Sequence, residues 1–176
     1  MFKKIAVIGN AGSGKTTLAK KLAALLHVPL YHLDQYFFSP SWQEVPKEEF
    51  KAKHDELCNL DVWVLEGCSM KTVPDRLAKA DMIIYLKTPR WRCMFNILRR
   101  AVCNHGRVRE CSPAGCPENM FNRKFLKLLR YVWNFNKRFD AGIQEQLNLY
   151  KDEKPVYYLY SYEQIDDFLN TITKEF

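Results

Sequence analysis

The chain has 176 residues, a length that suits one domain. Hydrophobic residues make up 47% and aromatics 14%, enough for a packed core, so a largely disordered chain is excluded. The formal net charge of +7 leaves three kinds of partner open: nucleic acid, a membrane surface or an anionic small molecule. Many of the basic residues lie between Arg90 and Arg138, interleaved with apolar ones, which suits a phosphate-handling face at least as well as a DNA-binding one. No apolar run approaches the length of a membrane span, and Met1-Phe2-Lys3-Lys4 leads straight into a short strand rather than an apolar leader. The six cysteines contain no C-x-x-C pair. The expectation is a cytoplasmic protein with reduced thiols and no membrane association.

Ile5-Ala6-Val7-Ile8 predicts a buried first strand. Gly9-Asn10-Ala11-Gly12-Ser13-Gly14-Lys15-Thr16 follows and matches G-x-x-x-x-G-K-[ST], the phosphate-binding loop. Thr17 to His27 predicts a helix, with Leu18, Leu22, Leu25 and Leu26 at helical spacing. Pro29 to Leu33 predicts the second strand, ending at Asp34. Gln35 to Pro46 is irregular and aromatic, with Trp42 at its centre, and Lys47 to Leu60 predicts a helix. Val62 to Leu65 predicts the third strand, closed by Glu66-Gly67, and Thr72 to Lys79 a short helical passage carrying Arg76. Asp81 to Leu86 predicts the fourth strand. Trp91, Met94, Phe95, Leu98 and Val102 recur at helical spacing and predict a helix over 90–102. Asn104 to Asn119 is broken by Gly106, Pro113, Gly115 and Pro117; Phe121 to Leu149 is mostly helical. Pro155 to Leu159 predicts the fifth strand and Glu163 to Ile172 the last helix. Short apolar strands alternating with helices predict an α/β fold: a five-stranded parallel sheet with helices on both faces. The chain reads as a single domain spanning 1–176.

Ligands of such sheets bind beyond the carboxyl ends of the strands, where the loop, Asp34 and Glu66-Gly67 all fall. Gly9, Ala11, Gly12, Ser13, Gly14, Lys15, Thr16 and Thr17 are the expected nucleotide contacts. The glycines let the backbone wrap the phosphates, Lys15 adds a cation, and the Thr16 hydroxyl is a ligand for Mg²⁺. Asp34 reads as a carboxylate that orients the acceptor or takes its proton, or else as a turn cap. Glu66 reads as a carboxylate that holds Mg²⁺ partly through water, or as a strand-end acid paired with a base. Arg76 reads as a clamp on an acceptor anion or as a surface salt bridge. Arg107 and Arg109 read as lid cations closing over ATP, with Arg99, Arg100 and Arg123 as weaker additions; the bland alternative is a solvated basic loop. Cys103, His105, Cys111 and Cys116 do not follow a usual zinc spacing and read as structural thiols.

These residues resemble the P-loop kinases of the adenylate kinase and shikimate kinase type. More closely, the chain resembles the bacterial DNA topology modulation (FlaR-type) group, through Tyr31-His32-Leu33-Asp34, Trp63 to Gly67, Arg76 to Asp81 and Gly115-Cys116-Pro117-Glu118. Glu66 stands where that group more often has Asp, and Cys68 where it often has Asn. The resemblance implies an acceptor-side insertion over 35–60, a lid-like segment over 103–120, and binding of ATP and Mg²⁺. The expected activity is transfer of the ATP γ-phosphoryl group to a nucleotide-like or other small acceptor. The alternative is an ATP-dependent regulator associated with DNA. A GTPase is disfavoured, because Asn136-Lys137-Arg138-Phe139 breaks the guanine motif.

Overall fold

The computed structural model describes residues 2–175. In chain order the elements are β1 (Lys4–Gly9), α1 (Lys15–Leu26), β2 (Leu30–His32), α2 (Asp34–Phe37), β3 (Phe38–Ser39) and, after a 3₁₀ turn Pro40–Trp42, β4 (Gln43–Glu44). They continue with α3 (Lys47–Asn59), β5 (Trp63–Glu66), α4 (Val73–Lys79), β6 (Met82–Leu86), α5 (Arg90–Cys103) and α6 (Arg123–Phe135). A π-turn over Asn136–Asp140 leads into α7 (Ala141–Asn148), β7 (Val156–Leu159) and α8 (Tyr162–Glu175).

The main sheet has five parallel strands in the order β2-β5-β1-β6-β7, as the alternation of strands and helices predicts. β1 is central because its residues 5–8 are wholly apolar and buried on both faces. On one face Ile5, Val7, Met82 and Ile84 pack against Leu18 and Leu22 of α1 and Phe168 of α8. On the other, Ala6, Ile8, Leu65 and Tyr85 pack against Leu57 of α3, Leu77 of α4 and Ile143 of α7. No helix among the described residues is long and apolar enough to cross a membrane.

One expectation needs correction. The irregular 35–46 stretch contains the short helix α2 and a two-stranded antiparallel hairpin, β3 with β4. The helix expected over 90–102 is present as α5, and its apolar residues divide: Cys93, Ile97 and Ala101 are buried, whereas Trp91, Phe95, Leu98 and Val102 are exposed. Periodicity marks a helix and its stripe but does not say what covers the stripe.

α5 is pressed against the phosphate-binding loop. Gly12 has φ +77°, and a Cβ there would lie 2.5 Å from the Cys93 carbonyl oxygen and 2.9 Å from Ile97 Cγ1. Gly12→Ala is expected to destabilise the protein by about 1–3 kcal/mol, the usual cost of overpacking, by pushing the loop off α5. Thermal unfolding checks this.

Candidate active site

The loop between β1 and α1 is held from three sides. Asn96 Nδ2 of α5 donates to the Gly12 carbonyl at 2.7 Å, Thr88 Oγ1 to the Ser13 carbonyl at 3.0 Å, and Asn10 Nδ2 to the Val132 carbonyl of α6 at 2.9 Å. Ala11 packs against the α5–α6 cluster. Gly14 caps α1 in a left-handed conformation (φ 101°), no side chain caps the helix, and its first turn carries no acid. The first amides of α1 are therefore left for an anion, aided by the helix dipole. Lys15 is buried and its Nζ donates to the Asn10 carbonyl at 2.7 Å, so it folds back over its own loop. Ser13 Oγ is buried without a hydrogen-bond partner. An uncapped helix, a buried lysine and an orphaned hydroxyl together fit a phosphate chain.

Glu66, at the end of β5, sits beside this cradle and is buried. Its Oε1 accepts a hydrogen bond from Thr16 Oγ1 at 3.0 Å and lies 2.7 Å from His32 Nδ1. Burial pushes its pKa up, but the hydrogen bond to His32, the Lys15 charge and the Thr16 hydroxyl outweigh that and hold it below the usual carboxylate value. Thr16 and Glu66 present adjacent oxygens, the donor type a hard divalent cation takes. His32, part of the Tyr31 to Asp34 stretch, carries no role of its own in the sequence pattern. Its one signal is position: it ends β2, two residues before Asp34, in register with Glu66.

Asp34 opens α2, just beyond the carboxyl end of β2. Its surroundings raise its pKa, first through desolvation and then through repulsion from Glu66, opposed by Lys15, Arg100 and Arg109. Asp34 is nonetheless exposed to solvent, so this desolvation is partial. Gly67 follows Glu66, and its carbonyl accepts a hydrogen bond from Arg76 Nη2 at 2.9 Å. Arg76 is no surface salt bridge: it is fully buried, and its Nε and Nη1 have no hydrogen-bond partner. Burial lowers its pKa, offset by Cys68, Cys58, Glu66 and Asp34 around it.

The arginines divide. Arg109 Nε donates to Glu118 Oε1 at 2.7 Å, and Arg100 Nε lies 3.0 Å from the same oxygen, out of line for a hydrogen bond. Glu118 is buried and holds both guanidinium groups where their charge reaches Asp34. Arg107 is exposed, and no hydrogen bond or ion pair from its side chain occurs among the described residues. Arg99 and Arg123 are likewise exposed. The 103–120 segment lies against the 38–44 hairpin. Ser41 N donates to the Gly115 carbonyl at 2.9 Å, Trp42 Nε1 to the Pro117 carbonyl at 2.9 Å, and Trp42 N to Cys116 Sγ at 3.2 Å. Gln35 Nε2 donates to the Glu110 carbonyl at 2.9 Å, and Lys20 of α1 pairs with the Glu110 carboxylate. Among the cysteines of this segment, Cys116 is thus engaged in packing and Cys111 Sγ accepts from Arg109 Nη1.

On the outer side of the loop is a cleft of about 430 Å³ lined by Gly14, Thr17, Lys21, Arg92, Asn96 and Tyr162, among others. The Arg92 guanidinium stacks on the Tyr162 ring at 4.8 Å, and Asn96 Nδ2 donates to Tyr162 Oη at 2.6 Å. The sequence held no motif for it, because its walls come from α1, α5 and α8, far apart in the chain.

No protein-family model matches the chain. A shikimate kinase from Tolumonas auensis is 30% identical over 102 residues, covering 49% of this chain and 59% of that protein. The match therefore spans less than two thirds of the relative. Solved structures extend further. A shikimate kinase from Acinetobacter baumannii, in complex with shikimate, superposes with a TM-score of 0.60 at 17% identity over 99% of this chain and 92% of that one. A deoxyadenosine kinase from M. mycoides, with bound dATP, gives 0.55 at 14% identity over 96% and 98%. The fold is that of the P-loop kinases.

Two outcomes test this geometry. Asp34 carries a raised pKa, so its charged form costs stability above the unfolded value of 3.8. Asp34→Asn is expected to raise the melting temperature at pH 7, with a gain that vanishes below pH 3.8, where the carboxyl is neutral in both states; thermal unfolding across pH reads this. Glu118→Gln removes the shared anion between Arg100 and Arg109 and is expected to cost about 2 kcal/mol, read by denaturant unfolding.

Proposed function

We propose that the chain transfers the γ-phosphoryl group of ATP to a hydroxyl of a small acceptor bound over Asp34. The observation that carries this is the convergence of Lys15, Thr16, Glu66, Asp34 and Arg109 at the carboxyl ends of β1, β2 and β5. Lys15 leaves the Asn10 carbonyl for the phosphates, and the amides of residues 12–16 surround them, with Thr17 at the edge of the cradle. Thr16 and Glu66 would hold Mg²⁺, Glu66 partly through water; when bound, the ion neutralises charge building between the β- and γ-phosphates. The Arg92–Tyr162 cleft takes the base, whose flat face suits a stacked guanidinium and aromatic ring.

Asp34 orients the acceptor hydroxyl and accepts its proton as the new O–P bond forms and the bond to ADP breaks; a carboxyl with a raised pKa is a better base for this. Arg109, with Arg100 behind it, offsets charge on the transferring group, and Arg107 joins only if the lid turns inward. Arg76 acts from beneath, holding the Gly67 carbonyl that borders the acceptor. Residues 35–60 form the acceptor-side insertion and 103–120 the lid, and the free thiols suit a cytoplasmic setting. A nucleotide-like acceptor of the adenylate kinase kind, and membership of the topology modulation group, are the finer readings. A DNA-associated role rests on charge alone: residues 82–139 hold thirteen Lys and Arg against Glu110 and Glu118.

Acceptor-dependent ADP formation is the test, with Mg²⁺ present and nucleoside monophosphates, nucleosides and hydroxy acids as acceptors. Lys15→Ala is expected to lower the rate at least about a hundredfold with the circular dichroism unchanged. Arg109→Ala is expected to lower kcat about tenfold or more, and Arg107→Ala to leave it within about twofold. Full turnover by a folded Lys15→Ala protein overturns the reading.

A further inference from the structure

Trp91, Phe95, Leu98 and Val102 of α5 are between 41% and 63% exposed. Their spacing is four, three and four residues, the step of a helix–helix seam rather than of the broad face a helix lays on a sheet. α5 already buries its opposite side through Cys93, Ile97 and Ala101. The seam is therefore a second, separate apolar surface. It continues across the α5–α6 junction, where the Arg90 guanidinium stacks on exposed Trp133 at 4.4 Å, and Leu126 and Phe121 are also exposed. At roughly 150–250 Å² for a whole aromatic side chain, these seven residues expose on the order of 800 Å². That sum is comparable to one partner's share of a standard interface.

We propose that the chain forms a twofold dimer through antiparallel packing of α5 on α5. The seam is self-complementary. With the axis midway between Phe95 and Leu98, Trp91 meets the partner's Val102 and Phe95 meets the partner's Leu98, so each large ring faces a smaller aliphatic group. The same pairs form twice, as an isologous contact requires. The exposed seam carries no Lys, Asp or Glu, the residues that interface cores avoid. Met94 and Ala101 flank one edge toward α6, and Arg92 and Arg99 flank the other. The arginine edge meets the partner's, so the two copies repel there until salt or a bound nucleotide anion screens it. That edge borders the Arg92–Tyr162 cleft. The dimer stands apart from the phosphoryl-transfer reading and survives its failure.

Sedimentation equilibrium of the full chain is expected to give twice 20.8 kDa, with the dimer tightening as salt rises. Leu98→Glu and, separately, Val102→Glu are expected to weaken association about a hundredfold or more, with circular dichroism confirming the fold. Combining Val102→Glu with Trp91→Lys restores the dimer, because in this register each carboxylate faces the partner's ammonium. A wild-type chain that stays monomeric at 100 μM (roughly ten times the concentration that populates a 10 μM dimer) overturns the proposal. So does a dimer indifferent to Leu98→Glu, which would place the contact elsewhere. A monomer that binds anionic vesicles or DNA, and releases them as salt rises, assigns the face to that surface instead.

Discussion

The close approach of the phosphate-binding loop to α5 is the constraint on which the rest of the molecule depends. Gly12 has no room for a side chain because the Cys93 carbonyl and Ile97 fill the space. That contact fixes the loop's height above the sheet, and Asn96 locks it with a hydrogen bond to the Gly12 carbonyl. Because α5 follows β6, the neighbour of β1, the loop is braced by the adjacent crossover and not by its own unit alone. The Arg92–Tyr162 cleft is a by-product of the same contact: Arg92 and Asn96 leave the face of α5 that the loop touches and meet Tyr162 at the start of α8.

Charge across the site alternates in a way that keeps it ready for an anion. Lys15 and the α1 N-terminus are positive, Glu66 and Asp34 negative, Arg100 and Arg109 positive, and Glu118 negative behind them. Each buried charge has a neighbour of opposite sign, so none bears the full desolvation cost. Arg76 comes nearest to an exception. It is sealed, holds one backbone carbonyl, and leaves two nitrogens without partners. Burial lowers its pKa, and Cys68, Cys58, Glu66 and Asp34 around it oppose that shift.

α5 serves two neighbours with two faces. One face, small and apolar at Cys93, Ile97 and Ala101, lets the loop and α6 come close. The other, carrying Trp91, Phe95, Leu98 and Val102, stays largely open to solvent among the described residues. Phe95 belongs to both regions, lining the Arg92–Tyr162 cleft and standing in the exposed stripe.

The sequence alone determined the parallel α/β sheet, because its strands are short apolar runs that only a doubly covered sheet can bury. It determined the phosphate cradle too, because glycines, lysine and threonine at that spacing do their work through local backbone geometry. It placed Asp34 and Glu66 at strand ends, since those ends are visible as the point where an apolar run stops. Tertiary structure alone decided the partners. His32 meets Glu66 through strand register, Glu118 gathers Arg100 and Arg109 from two segments, and Arg107 is turned outward although it lies two residues from Arg109. It also decided that Arg76 is buried and that the aromatic stripe of α5 is bare. The physical reason is common to all of these. Backbone propensity and periodicity act over a few residues, whereas burial and ion pairing depend on which distant segments the sheet order brings together.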